Sequence, residues 1–181
     1  GNYGVEKNII YDPNDVARTT IRETTESKGK TGNVGNVQNS DAYKNINYDN
    51  LLGNLKDFLQ EIIPVAEENN IKMAIHPDDP PIPLFGVPRI VSTLDDYDFI
   101  LKSTRSQSNG MTFCSGSLGS NINNDVYKIF NTFKDKIHFI HLRNVKIEKD
   151  KKSFYESNHL NGDIQFVKLI KRMTKEEKRR S

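Results

Sequence analysis

The sequence predicts an α/β fold, read as part of a (β/α)8 barrel, and three observations carry that prediction. Apolar runs and amphipathic stretches alternate in the order helix, strand, helix, strand, helix, strand, helix, the pattern of βαβ units on a parallel sheet. Each strand ends on a side chain that can bind a metal. Met73-Ala74-Ile75 runs into His76, Met111-Thr112-Phe113 into Cys114, and Ile137-His138-Phe139-Ile140 into His141. These ends are 38 and 27 residues apart, bracketing the ~31 residues per unit of a ~250-residue barrel. Three units cannot close a barrel, so the fold is partial.

Each element has its own signal. Leu51, Leu52, Leu55, Phe58, Leu59, Ile62, Ile63 and Ala66 recur at three- and four-residue spacings, which predicts a helix over Tyr48 to Glu68. Pro64 should bend it or end its first part, and Asn69-Asn70 closes it. The next strand stops at His76 because Pro77 cannot donate a ladder hydrogen bond. Pro77 to Pro88 carries five prolines and reads as a rigid loop. Thr93-Leu94-Asp95-Asp96 opens a helix to Ser103, and Ser106 to Gly110 turns into the strand ending at Cys114. Asn123-Asn124-Asp125 caps a helix to about Phe133, and Lys134-Asp135-Lys136 leads into the strand ending at His141. A charged loop follows, then a last helix from Gly162-Asp163 through Met173. Ala74 and His76 share one face, as do Thr112 and Cys114. The third strand is less regular, since strict alternation from His141 turns His138 outwards.

Two domains of unequal order are expected. Residues 1–45 read as an irregular, mobile segment, with a short helix over Asp15–Arg22. Glu26 to Ser40 is a linker or lid too polar to offset chain entropy. Residues 46–181 form the partial barrel domain. A net charge of +2 over 181 residues gives no strong preference for charged partners. The one basic run, Lys175–Arg180, reads as a solvated helix end, so no nucleic-acid partner is expected. No stretch approaches the ~18 apolar residues of a membrane span. One cysteine excludes an internal disulfide framework and fits a reducing, cytoplasmic setting.

His76, Cys114 and His141 form a candidate metal set, because imidazole and thiolate suit Zn²⁺ or Fe²⁺. The alternatives stay open: His76 as a loop histidine packed by prolines, Cys114 as a small buried apolar residue. His138 is read as structural. The Ser115–Gly119 turn either seats an anion on its N–H groups or simply joins strand to helix. Arg143 can hold a carboxylate with two hydrogen bonds. Asp78, Asp79 and Arg89 either gate the site or pair with each other.

Several segments in order strongly resemble mannonate dehydratases: Met73–Pro81, Phe85-Gly86-Val87-Pro88-Arg89, Cys114–Gly119, Ile137–Val145 and Glu156–Asp163. The resemblance runs from about Tyr48 to Arg180; none is visible before residue 45. It implies a xylose-isomerase-like TIM barrel, here truncated at both ends. The implied reaction is dehydration of D-mannonate, a sugar acid, to 2-keto-3-deoxy-D-gluconate in glucuronate catabolism, with Mn²⁺ or Fe²⁺ as cofactor. It also implies that His76, Cys114 and His141 bind the metal. Arg143, Asn144 and Ser115 then fall to substrate binding and His159 to acid–base catalysis, with a place behind the site or on the surface as the alternative for Arg143 and His159. Further acid–base groups are expected in an Arg-Pro-Asp-His-Gly-His stretch that follows the last helix in the family and is absent here. The chain is therefore expected to be a fragment inactive alone, with homo-oligomerisation left open. Two alternatives remain: a metal-dependent sugar isomerase or epimerase on the same barrel, or a non-catalytic remnant.

Overall fold

The computed structural model describes residues 9–11, 46–83 and 87–181. The expected helix over Asp15–Arg22 and the linker or lid over Glu26–Ser40 lie outside them. A parallel sheet carries the site: β2 (Met73–Ile75), β3 (Asn109–Cys114) and β4 (Ile137–His141), side by side in chain order. Helices α1 (Tyr48–Glu68), α2 (Leu94–Ser103) and α4 (Val126–Phe133) alternate with these strands, which makes the fold mixed α/β as expected.

The helix boundaries follow local chemistry. Asn47 caps α1 by accepting from the Asn50 N–H, and Asn70 leaves the helix in the left-handed region at φ 53°. Pro64 lies inside α1 without ending it; the helix continues to Glu68. Thr93 and Asp96 form a reciprocal capping box on α2. Asp125 accepts from the N–H groups of Tyr127 and Lys128 at the start of α4. Leu59 and Ile63 of α1, Tyr97 and Ile100 of α2 and Ile129 and Phe130 of α4 pack on Met111 and Phe113 of β3. Phe113 meets Phe130 edge to face at 5.3 Å, a geometry that adds to area burial.

Three features differ from the sequence reading. The Ser115–Gly119 turn is a short helix, α3, capped by Cys114 itself. The charged loop after His141 holds a β-hairpin, β5 (Asn144–Ile147) and β6 (Phe154–Ser157), joined by β1 (Ile9–Tyr11) into an antiparallel sheet in the order β1-β6-β5. Its turn is set by Asp150, which accepts from the N–H groups of Lys152 and Ser153, while Val145 and Phe154 are buried in the core. The last helix, α5, spans Phe166–Arg180 rather than starting at Gly162. Asp163 instead ties to β5, accepting from Ile147 N–H at 2.8 Å and donating its own N–H to Val145 O. The basic run ends α5 as expected, with Arg179 and Arg180 on the buried Glu176. No helix among the described residues is long and apolar enough to cross a membrane.

Candidate metal centre

β2, β3 and β4 bring His76, Cys114 and His141 to one end of the parallel sheet. Their donor atoms all lie within 4.8 Å of one another. Cys114 and His141 are matched partners in adjacent strands, with Sγ and Nδ1 3.5 Å apart. The His76 and His141 rings are tilted, with centroids 5.8 Å apart. The thiol is buried and both imidazoles are exposed, so the cluster has a closed floor and an open mouth.

Neighbouring groups orient these donors. His76 Nδ1 lies 2.7 Å from the Pro77 carbonyl. A carbonyl only accepts, so Nδ1 carries the proton and Nε2 keeps its lone pair. A histidine fixed this way by a backbone carbonyl is the usual arrangement behind a metal ligand. Cys114 Sγ receives the Ser117 N–H at 3.5 Å and the Ser117 hydroxyl at 3.2 Å. Two imidazoles and a thiol, oriented and partly open, fit a divalent transition metal. Sequence reading missed Ser117, although its place three residues after a helix-capping Cys114 is the spacing that makes the contact.

The remaining site residues fall in two groups. Arg143 is held by Asp79 through two parallel hydrogen bonds of 2.6 and 3.0 Å. Burial alone would lower its pKa, but Asp79 outweighs that and holds it above the ordinary value. Arg143 Nε is buried with no partner among the described residues, and a side chain at Gly116 would collide with it. Of the loop residues, Asp78 and Arg89 pair with each other at 3.6 Å, Asp78 also accepts from the Ile90 and Val91 N–H groups, and only Asp79 turns to Arg143.

Ser115 and Asn144, expected at a substrate, are both buried and serve the backbone. Ser115 Oγ donates to Arg143 O at 2.7 Å and accepts from Arg143 N–H at 3.1 Å. The Asn144 amide donates to His159 O and Ile164 O and accepts from the N–H groups of Val145 and Ile164. His159 is exposed, lies tilted against Phe166 with ring centroids 5.3 Å apart, and directs Nε2 to Leu142 O at 3.3 Å. His138 does not point outwards. Its ring lies over Gly110, on the face that Gly110 shares with Thr112 and Cys114.

Fold and site define an α/β protein with a candidate cation site at the carboxyl ends of a parallel sheet. The family model for D-mannonate dehydratase (UxuA) matches residues 6–181, and the chain belongs to that family. The match extends through most of residues 1–45, where the motifs had shown no resemblance. The chain is 43% identical to a mannonate dehydratase of Saccharophagus degradans over 97% of its length and 41% of that protein. It is 47% identical to one from Chromohalobacter salexigens over 76% of its length and 35% of that protein. A crystal structure of mannonate dehydratase from Streptococcus suis serotype 2 superposes with a TM-score of 0.70 at 38% identity, covering 74% of this chain and 39% of that one. The chain thus spans about two fifths of the relatives it matches.

Proposed function

We propose that this chain contributes the metal centre of an enzyme that dehydrates D-mannonate to 2-keto-3-deoxy-D-gluconate, with His76, Cys114 and His141 as ligands of Mn²⁺ or Fe²⁺. The observation that carries the reading is the convergence of these three donors within 4.8 Å at the strand ends of a family member. We also read β2, β3 and β4 as adjacent strands of a (β/α)8 barrel. Their order in the sheet follows their order in the chain, and Phe139 is left 61% exposed on the ligand face, where further strands would cover it. Residues 46–181 then form the partial barrel domain. A thiol ligand suits a reducing, cytoplasmic setting.

A divalent cation bound there supplies Lewis-acid polarisation of the substrate carboxylate and a neighbouring hydroxyl. Arg143 is the group in this chain suited to a second hold on the carboxylate, once Asp79 leaves its guanidinium. Ser115 fastens the Arg143 backbone, and Asn144 fastens the segment carrying His159. Dehydration needs a base to take the C2 proton and an acid to protonate the departing C3 hydroxyl; the resulting enol becomes the ketone. With Nε2–H facing Leu142 O, His159 keeps its lone pair on Nδ1 and is this chain's candidate for one of those transfers.

The test is to load the protein with Mn²⁺ or Fe²⁺, supply D-mannonate, and follow 2-keto-3-deoxy-D-gluconate, both for residues 1–181 and at full gene length. Product formation at full length that is lost in His141→Ala supports the proposal. Turnover by residues 1–181 should fall far below it, since the chain spans only about two fifths of its relatives. Interconversion of aldose and ketose without dehydration would favour an isomerase instead.

A further inference from the structure

β4 carries one residue more than β3 between two matched pairs. Met111 pairs with Ile137 and Thr112 with Phe139, which leaves His138 as a bulge. Beyond it the pairs run Phe113 with Ile140 and Cys114 with His141. Regular pairing continued from Met111 and Ile137 would set Ile140 beside Cys114 and turn His141 to the opposite face, because side chains alternate along a strand. The extra residue therefore decides which side chain joins Cys114. A bulge re-aims a side chain in this way.

The bulge is fastened from two sides. His138 Nδ1 donates to the Met73 carbonyl at 2.6 Å, so one imidazole reaches from β4 across β3 to β2. Its ring occupies the space that a side chain at position 110 would need, and the Lys136 carbonyl lies 2.6 Å from the same point. Only glycine at 110 leaves the seat open.

We infer that His138 is a positioning residue for the metal centre: its bulge, seated over Gly110 and tied to Met73, sets His141 beside Cys114. The inference rests on the metal-centre reading above. His138 is no ligand itself. It acts through the register of the strand that carries one.

Co²⁺ titration of the full chain tests this, because thiolate-to-cobalt charge transfer reports Cys114 and the ligand-field bands report the other ligands. His138→Val should keep the charge-transfer band, take on the ligand-field spectrum of His141→Ala, and bind Co²⁺ about 10–100-fold more weakly. Deleting His138 removes the extra residue, so regular pairing alone sets His141 beside Cys114 and the native spectrum should return. His138→Asn, which keeps a donor towards Met73, should also stay close to native. A role in packing alone gives the opposite order, with the deletion worse than the valine variant. If His138→Val does not fold, the deletion decides: a native spectrum supports the inference, and a His141→Ala spectrum overturns it. Native affinity and spectrum in His138→Val would overturn it while leaving the centre intact. Absence of the charge-transfer band in the native chain would overturn the metal-centre reading and this inference with it.

Discussion

Cys114 Sγ and His141 Nδ1 stand 3.5 Å apart in a matched pair across two parallel strands, with Ser117 donating twice to the sulfur. A buried cysteine kept only for packing needs no such company. Cys114→Ala should therefore lower Mn²⁺ or Fe²⁺ affinity by more than the ~10–100-fold typical of losing an outer-shell partner. Metal analysis of the purified variant checks this. Unchanged occupancy would return Cys114 to a packing role.

Arg143 and Asp79 bridge 64 residues of chain through two hydrogen bonds. Lysine carries the charge but cannot reproduce the fork. Arg143→Lys should raise KM for D-mannonate by about 10–100-fold, on the ~1.5–3 kcal/mol of a charged hydrogen bond, and should also loosen the loop after His76. Steady-state kinetics at full gene length provide the check. An unchanged KM would confine Arg143 to holding Asp79.

The His138 imidazole has its pKa pushed below the ordinary 6.5, first by burial and then by the charges of Lys72, Lys136 and Arg180, with the Met73 hydrogen bond opposing them. The folded state thus resists a proton that the unfolded chain accepts. The neutral ring's contribution is complete above pH 6.5 and is lost as pH falls from there towards the lower folded value. Urea midpoints for the native chain and His138→Asn should show a smaller loss in the variant across that window. Parallel pH profiles would contradict this.

Phe113 is fully buried between β3 and the helices and packs against Phe130. Truncation leaves a cavity that neighbouring strands cannot close, so Phe113→Ala should cost about 3–5 kcal/mol. Denaturant unfolding measures it, and a loss below about 1 kcal/mol would mean that the core is looser than its contacts indicate.

The parallel sheet was legible because its signals are local. Pro77 stops β2, Thr93 and Asp125 cap the helices they precede, and apolar runs mark the strands. The convergence of His76, Cys114 and His141 followed from their shared place at strand ends. The β5–β6 hairpin was not legible, since two four-residue strands rich in polar groups carry too little alternation to stand out from a loop. The bulge at His138 was visible only as an irregularity. A single extra residue leaves no mark on composition, and its cause lies at Gly110 and Met73 in other strands. The same distance hid the pairing of Asp79 with Arg143 and the backbone roles of Ser115 and Asn144. Short polar side chains make such contacts wherever the chain brings groups near, and spacing along the sequence does not encode that.

The most direct measurement is an anomalous difference map from crystals of the Mn²⁺-loaded protein. A three-donor metal centre requires one strong peak at the carboxyl end of the parallel sheet, within bonding distance of His76, Cys114 and His141 together. A peak elsewhere, or one that leaves Cys114 or His141 unbonded, would contradict it.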